Sequence, residues 1–431
     1  MNPPSLPVTR RRLVTAAALG MLAPGAVVRR AGAAETTIRW LHLETNPLVL
    51  KIWNQAAAEF EKSHPGVQIK LQFLENEAFK AKLPTLLQSP DAPSMFYSWG
   101  GGVMRAQADT GALRPIGAQM DAAWKKRLNP AALEAFTYQN KIWGAPHQLA
   151  VVDLCYNKAM FQKAGVAGDQ IKTWDDFLGA VKKLKAAGLT PIAVGGGDKW
   201  PIMHYWSYLA VRTGGKQALQ DALAGKGRGF ASEPFVEAGR LLKQLADLHP
   251  FQDGFLGATF PTELGFFGDG RAAIILCFSG TYQRQAHAAA DGKGLAEDNI
   301  GMIRFPMVPG GKGLPTDTMG GINAWLVSRN APPQTVDFLN LLTDVKYQSA
   351  VAATGVYLPA VPAANDAITD PLLQQAGEEL AHSTYHQNYY DQDLGPDVGR
   401  VVNDATTALV AGTATPEQVV KQIQDAWDLN H

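Results

Sequence analysis

Residues 37–73, TIRWLHLETNPLVLKIWNQAAAEFEKSHPGVQIKLQF, contain the pattern that decides the fold. The first seven residues alternate in polarity and predict a strand. The apolar residues that follow recur every four positions as far as Phe60, which predicts an amphipathic helix ending at His64-Pro65-Gly66. Residues 67–73 alternate again, so this part of the chain is predicted to form a strand-helix-strand unit.

The same order recurs between residues 151 and 194. A buried strand is predicted at Val151–Tyr156, a helix begins after Thr173, with Asp176 placed to complete a capping box, and a further strand covers Thr190–Val194. Strands alternating with helices of this length predict an α/β fold with mostly parallel sheets. About 400 residues exceed what one hydrophobic core supports, so we expect two domains. No linker-like tract separates them, which favours domains built from discontinuous segments.

Residues 9–34, TRRRLVTAAALGMLAPGAVVRRAGAA, predict a removable export signal. Arg10, Arg11 and Arg12 resemble a twin-arginine signal, the apolar run is broken by glycine and proline, and a small-x-small pattern closes the segment. We therefore expect residues 1–34 to be a twin-arginine-type signal peptide and the protein to be periplasmic. The first cysteine is Cys155, so no lipid anchor is expected.

The charge balance argues against nucleic acid as a partner. Five of the 39 basic residues lie in the leader and none of the 39 acidic residues does, which leaves 34 basic against 39 acidic residues and a net charge of about −5. A nucleic-acid-binding surface requires clustered Lys and Arg. We expect a soluble monomer that binds a small molecule or a protein.

Cys155 and Cys277 each lie in a short apolar run that predicts a buried strand. Buried free thiols are the favoured interpretation. A disulfide is the alternative, since the compartment is oxidising, and it would require the two strands to be neighbours.

Motifs of catalysis and of metal binding are absent from the chain. The sequence has no His-Glu-x-x-His, Gly-x-Ser-x-Gly, Walker or Cys-x-x-Cys motif. His382 and His386 have helical spacing, but no third ligand stands at a matching position. We expect no enzyme activity, no cofactor and no metal.

Two tryptophans adjoin glycine clusters, Trp99 before Gly100–Gly102 and Trp200 after Gly195–Gly197. The clusters could cradle phosphate, but sharp turns after strands are the better interpretation because a base is missing from their vicinity, apart from Lys199. An aromatic ring at the carboxyl end of a strand is where an α/β sheet presents ligand contacts, and it suits the apolar face of a sugar.

The order of segments from Trp40 onward resembles family 1 extracellular solute-binding proteins of ABC sugar importers, in the oligosaccharide-binding branch that includes the maltose-binding protein. The strongest likeness lies in IWGAPHQLAVVDLCYNKAMFQKAGV and TWDDFLGAVKKLKAAGLTPIAVGGGDKWP, with further likeness at Phe267–Ile274, Met319–Asn323 and Tyr389–Pro396. The resemblance implies an α/β, two-lobed periplasmic binding protein fold of type II with a ligand cleft between the lobes.

The resemblance also implies domain boundaries and site residues. Residues 35–149 and 320–362 would form the N-lobe, and residues 150–319 and 363–431 the C-lobe. Trp99 falls on the family's stacking tryptophan, and Tyr282 is the ring carried by a Ser-Gly-x-aromatic turn. A sugar-binding glutamate of the maltose-binding protein corresponds to Ala150 here, so maltose itself is not implied. The candidate ligand-binding residues are Trp99, Trp200, Tyr282, Glu44, Asn46, His147, Asp198 and His204.

The predicted function is a periplasmic receptor that captures a neutral sugar, a di- or short oligosaccharide, by aromatic stacking and hydrogen bonds. The partners are the carbohydrate and an ABC permease. One alternative is a secreted sugar-acting enzyme, a glycosidase or lyase, which needs two carboxylates flanking one cleft. Another is a binding protein for a glycerophosphodiester or polyol, which for a charged ligand should carry basic residues beside the aromatic ones.

Overall fold

The computed structural model describes residues 36–431, and the predicted signal peptide lies outside them. The strands are β1 (Thr36–His42), β2 (Val67–Phe73), β3 (Met95–Trp99), β4 (Thr137–Tyr138), β5 (Lys141–Ile142), β6 (Gly144–Leu149), β7 (Val152–Asn157), β8 (Ile192–Ala193), β9 (Ile274–Phe278), β10 (Ile300–Ile303), β11 (Asp317–Gly320), β12 (Ile322–Val327), β13 (Leu358–Pro359) and β14 (Tyr385–Asn388). The α-helices are α1 (Pro47–Ser63), α2 (Asn76–Leu86), α3 (Gly102–Asp109), α4 (Ala122–Arg127), α5 (Pro130–Glu134), α6 (Lys158–Lys163), α7 (Trp174–Ala186), α8 (Trp200–Leu223), α9 (Glu233–Ala246), α10 (Phe260–Gly268), α11 (Thr281–Ala288), α12 (Gln334–Leu342), α13 (Val345–Ala352), α14 (Pro371–Ala381), α15 (Tyr390–Asp393), α16 (Pro396–Val410) and α17 (Pro416–Asn430). None of the helices described is long and apolar enough to cross a membrane.

Two principal sheets organise the chain. The larger has six strands in the order β13-β6-β12-β3-β1-β2, and the smaller has four in the order β10-β7-β9-β8. Strand β1 pairs in parallel with both β2 and β3, as the strand-helix-strand pattern requires. The larger sheet packs against a core in which the Trp40, Trp53 and Trp325 rings lie 4.8–5.4 Å apart between centroids.

Both sheets are mixed, so the prediction of mostly parallel sheets is wrong. Strand β12 is antiparallel to β3 and β6, β13 is antiparallel to β6, and β7 is antiparallel to both β9 and β10. The chain leaves the larger sheet after β6 and returns to it at β12, which lies between β3 and β6 and runs antiparallel to both. Local periodicity carries no record of such a distant pairing.

Local sequence explains why the helices near the sheets begin where they do. The Asn46 side chain accepts hydrogen bonds from the backbone N–H groups of Leu48 and Val49, and Pro47 occupies the first turn of α1. The predicted capping box at Thr173 and Asp176 is present at the start of α7. The start of α1 is therefore held directly after β1, where its first residues reach the end of the sheet.

The chain passes from the larger to the smaller sheet at Ala150 and Val151, between β6 and β7. Gly320, the last residue of β11, packs directly against this connection: a Cβ at Gly320 would stand 1.8 Å from the Ala150 carbonyl oxygen. Cys155 and Cys277 lie on the paired strands β7 and β9 as buried free thiols, two positions out of register. Burial raises the pKa of the Cys277 thiol to about 12.

Candidate functional site

A cavity of about 450 Å³ opens where the carboxyl ends of β1, β3 and β9 meet the first turns of α1 and α8. Ligands of α/β proteins bind outside the carboxyl ends of strands because loops and helix starts converge there. The lining residues are Leu43, Glu44, Thr45, Asn46, Trp53, Phe73, Glu75, Asn76, Lys80, Tyr97, Trp99, Gln148, Asp198, Trp200, His204, Phe260, Pro261, Leu264, Phe278, Arg284, His287, Ala288, Asn323, Tyr357, Tyr389, Asp391 and Gln392.

Six of the eight predicted site residues line this cavity: Glu44, Asn46, Trp99, Asp198, Trp200 and His204. They come from the segments after β1, at the end of β3, and at the start of α8. In the sequence they are spread over 161 positions, from 44 to 204. The tertiary fold therefore gathers around one space the residues that were predicted separately.

Glu44 is a buried carboxylate whose oxygens are only half used by the protein. Its Oε1 atom accepts hydrogen bonds from the backbone N–H groups of Thr45 at 2.9 Å and Asn46 at 2.6 Å. Burial raises the pKa of Glu44, and the nearby Arg284 guanidinium opposes that rise. Asn46 also lines the cavity, but its side-chain oxygen serves as the cap of α1.

Trp99 forms part of the cavity wall and part of the core at once. Its side chain is 7% exposed and packs edge-on against Phe79 and Tyr97, with centroid distances of 5.9 and 5.1 Å. The Lys80 ammonium lies 5.6 Å from the centre of its ring. The ring is thus held rigidly at the end of β3, as a stacking surface requires.

Trp200 and His204 form a second aromatic wall at the start of α8. The Trp200 ring lies 4.7 Å from Phe260 and 5.1 Å from His204, which stacks on Tyr389 at 5.0 Å. Burial lowers the pKa of His204 to about 3, so its imidazole is neutral at physiological pH. Asp198 caps this wall by accepting a hydrogen bond from the Phe260 backbone N–H at 2.7 Å. Burial raises the pKa of Asp198, with Glu75 contributing to the rise.

His147 does not line the cavity. Its ring stacks on Trp325 with centroids 4.4 Å apart, and it borders a separate, much smaller void behind the wall. Burial lowers its pKa to about 3. The next residue along β6, Gln148, lines the cavity instead, because successive residues of a strand point to opposite faces of the sheet.

Tyr282 also lies outside the cavity lining. It belongs to α11, whose cavity-facing residues are Arg284, His287 and Ala288. Those three have the i, i+3, i+4 spacing of a single helix face, and Tyr282 is on another. The aromatic platform on this side is Phe278, at the end of β9, against which the Arg284 guanidinium lies at 4.8 Å.

The segment of residues 389–395 supplies lining residues that the pattern reasoning missed, among them Tyr389 and Asp391. It reaches the cavity because Gly101 and Gly102 leave room for it. A Cβ at Gly101 would stand 2.5 Å from the Asp393 carboxylate, and the φ of Gly101 is +79°. The likeness of this segment to the oligosaccharide-binding branch was the only signal in the sequence.

The chemistry of the lining is that of recognition. Nine aromatic side chains provide apolar faces, while carboxylate and amide groups provide hydrogen-bond acceptors and donors. Among the residues described, no group of three or more His, Cys, Asp or Glu side chains could hold a metal ion. The fold is that of a two-lobed binding protein, and the cavity lies at the junction of its two principal sheets.

The chain belongs to the family of bacterial extracellular solute-binding proteins, whose model matches residues 46–349. The resemblance found in the sequence is therefore confirmed, and so is the expectation that the protein is a receptor and not an enzyme. The alternative of a glycosidase or lyase is set aside, since the matched family consists of extracellular solute-binding proteins.

Relatives with known names share part or all of the chain. An uncharacterised ABC transporter extracellular-binding protein of Pyrococcus horikoshii is 28% identical over 39% of this chain and 40% of its own length. A probable sugar-binding periplasmic protein of Mesorhizobium japonicum is 38% identical over 23% of each chain. The matched region thus spans less than half of either relative. The sn-glycerol-3-phosphate-binding periplasmic protein of Brucella suis is 25% identical over 93% of this chain and 94% of its own.

Solved structures confirm the two-lobed fold. A protein described in work on xylan utilization by Caldanaerobius polysaccharolyticus superposes with a TM-score of 0.82 at 28% identity, covering 90% of this chain and 99% of its own. A chitin oligosaccharide binding protein gives a TM-score of 0.82 at 24% identity, covering 92% and 98%. The maltotriose binding protein of Thermus thermophilus gives a TM-score of 0.70 at 19% identity, covering 92% and 99%.

Proposed function

We propose that this protein captures a neutral sugar, a di- or short oligosaccharide, in the cavity and delivers it to an ABC permease. The observation that carries the proposal is the pairing of aromatic walls at Trp99 and Trp200 with polar groups between them. Aromatic faces accommodate the C–H faces of sugar rings, and hydroxyls that enter a buried site must be paired to avoid a desolvation penalty. The cavity volume of about 450 Å³ suits a small ligand.

Relatives support the sugar class. The structural neighbour at 28% identity comes from work on xylan utilization, and a Streptococcus mutans relative, 24% identical over 59% of each chain, is named a multiple sugar-binding protein. Six residues predicted to contact a sugar line the cavity. Their role in ligand binding is part of this proposal, and His147 and Tyr282 take no part in it.

The proposed mechanism is closure of two lobes around the sugar. Residues 35–149 and 320–362 would move against residues 150–319 and 363–431 about the connections between the sheets. A ligand favours the closed state only through contacts made in that state, and side chains from both sides of the cavity allow such contacts. The closed form, exported as a free periplasmic monomer through its twin-arginine-type signal, would then dock on the permease.

A thermal-shift screen of the protein against mono-, di- and oligosaccharides tests the proposal. A ligand that binds only the folded state raises stability by RT ln(1 + [L]/Kd), or about 4 kcal/mol at 1,000 times Kd. We expect a rise in melting temperature with at least one neutral sugar and recovery of that sugar intact. The absence of a shift across the panel would contradict the sugar assignment.

A glycerophosphodiester or glycerol phosphate is the second candidate. Lys80 and Arg284 line the cavity beside aromatic rings, where the sequence had offered only Lys199, and Lys199 pairs instead with Asp404 at 2.6 Å. The Brucella suis relative is named for sn-glycerol-3-phosphate. Four carboxylates in the lining, those of Glu44, Glu75, Asp198 and Asp391, disfavour an anion. Adding sn-glycerol-3-phosphate to the screen decides between the two candidates.

A further inference from the structure

Arg284 lines the same cavity as the buried carboxylate of Glu44. Its guanidinium lies 4.8 Å from the ring of Phe278 and 5.4 Å from that of Tyr357. One terminal nitrogen donates to the Val356 carbonyl oxygen at 3.5 Å. Contact with two aromatic rings holds the planar group in place.

Neither charge is neutralised by direct contact. Within residues 36–431, Arg284 and Glu44 form no ion pair within 4 Å, with each other or with another residue. The Nε atom of Arg284 is buried without a hydrogen-bond partner in that part of the chain. Glu44 uses only Oε1 for the backbone, which leaves Oε2 available. Arg284 is nevertheless the largest favourable charge acting on Glu44, with His287 second.

A donor and an acceptor that face one cavity without meeting define what can fill the gap. A hydroxyl both donates and accepts, so a diol can accept from a guanidinium and donate to a carboxylate. A carboxylate in the same place could accept from Arg284 but has no proton to donate to Glu44, and an ammonium could donate to Glu44 but has no lone pair to accept from Arg284. The other lining base, Lys80, lies 3.8 Å from the Asp391 carboxylate and 3.1 Å from that of Glu77, so its charge is balanced locally.

We propose that Arg284 and Glu44 act as a matched donor and acceptor that bridge through hydroxyls of one sugar unit and select neutral sugars over acidic and amino sugars. This inference rests on the proposed function of a sugar receptor. It assigns to Arg284, which the sequence did not indicate, a share in specificity equal to that of Glu44. It also supplies a physical reason for the neutrality of the ligand, since a group of either charge would leave one member of the pair without a hydrogen-bond partner.

The test uses the full-length protein, calorimetry and the neutral disaccharides maltose, cellobiose, xylobiose and N,N′-diacetylchitobiose. Disaccharides of glucosamine and of glucuronic acid serve as the charged probes. Arg284→Gln and Glu44→Gln should each weaken binding of the neutral disaccharide at least tenfold. The double variant should bind no more than about threefold more weakly than the poorer single variant, because both changes interrupt one bridge. Lys421→Met and Asp425→Asn, which break an exposed ion pair on α17, a helix that contributes no residue to the cavity lining, should each change affinity less than twofold.

A change in charge preference separates a specificity role from a merely structural one. Glu44→Gln should improve binding of the glucuronic acid probe relative to the neutral disaccharide, and Arg284→Gln should do the same for the glucosamine probe. Wild-type affinity in either single variant, multiplying effects in the double variant, or unchanged charge preference would overturn the inference and leave the sugar receptor intact. A wild-type protein that binds no disaccharide of the panel would overturn the receptor proposal and the inference with it.

Discussion

Replacement of Trp99 by alanine should weaken both ligand binding and the fold, and the two losses can be separated. The side chain is 7% exposed and contacts the rings of Phe79 and Tyr97. Truncation of a buried tryptophan costs about 3–5 kcal/mol of unfolding free energy, and a residue on a cavity wall belongs at the lower end of this range. We therefore expect a loss of about 3 kcal/mol.

The expected thermal effect follows from the size of the protein. Unfolding entropy near 60 °C is about 2 cal/mol/K per residue, which for about 400 residues converts 3 kcal/mol into a fall in melting temperature of about 4 °C. If the ring also stacks on the sugar, affinity should fall at least tenfold, equivalent to about 1.4 kcal/mol. The assays are differential scanning calorimetry of the ligand-free protein and isothermal titration with the sugar found by the screen.

Trp174→Ala provides the matched control. Trp174 is 1% exposed, packs against Phe177 and Phe305, and does not line the cavity. It should lower the melting temperature by at least as much as Trp99→Ala while leaving the sugar affinity within about twofold of the wild type. Wild-type affinity in Trp99→Ala, measured where that variant is folded, would refute the reasoning.

Three further predictions concern stability. Burial raises the pKa of Asp153 above its unfolded value, so the stability of the wild type should fall relative to that of Asp153→Asn as the pH rises above about 4, by at most about 1.4 kcal/mol per pH unit. Urea unfolding of both proteins between pH 4 and 7 measures this fall, and a stability difference that does not change with pH would contradict it. Burial lowers the pKa of His147 to about 3, so the contribution of its neutral imidazole to stability is present above about pH 6.5 and is lost as the pH falls. The free energy of unfolding of His147→Gln should therefore decrease less than that of the wild type between pH 7 and 5, and equal decreases in the two proteins would argue against a buried neutral imidazole. Gly320→Ala should be severely destabilising because its Cβ would stand 1.8 Å from the Ala150 carbonyl oxygen, whereas the control Gly179→Ala, within α7 and facing open space, should raise stability by up to about 1 kcal/mol. Equal melting temperatures of the two variants would refute the crowding at Gly320.

The local rules of helix and strand formation were sufficient to predict many of the helices and strands from the sequence. The alternation at residues 67–73 and the capping box at Thr173 and Asp176 predicted elements that the structure contains. The glycine clusters beside Trp99 and Trp200 predicted that both tryptophans lie near the ends of the sheets. These features depend on neighbours within a few residues, so no knowledge of distant contacts was needed.

The lateral order of strands could not be read in the same way. Strand β12 lies between β3 and β6, although more than 170 residues separate it from either. The pairing of strands so far apart in the sequence depends on how whole elements pack and on where the chain crosses between the sheets. For this reason β12 pairs antiparallel with its neighbours, although parallel sheets were predicted. The same crossing places Gly320 against Ala150.

The cavity, too, was predicted in part from the sequence and decided in part by the tertiary structure. The amino-acid sequence by itself determined the class of protein, the aromatic and acidic character of the site, and six of the residues around the cavity. Only the tertiary structure decided that Gln148 and not His147 faces the cavity, that Arg284 and not Tyr282 does so on α11, and that Tyr389 completes the wall. Which face of a strand or helix points to a cavity depends on its packing against distant parts of the chain, and that packing is a property of the folded whole.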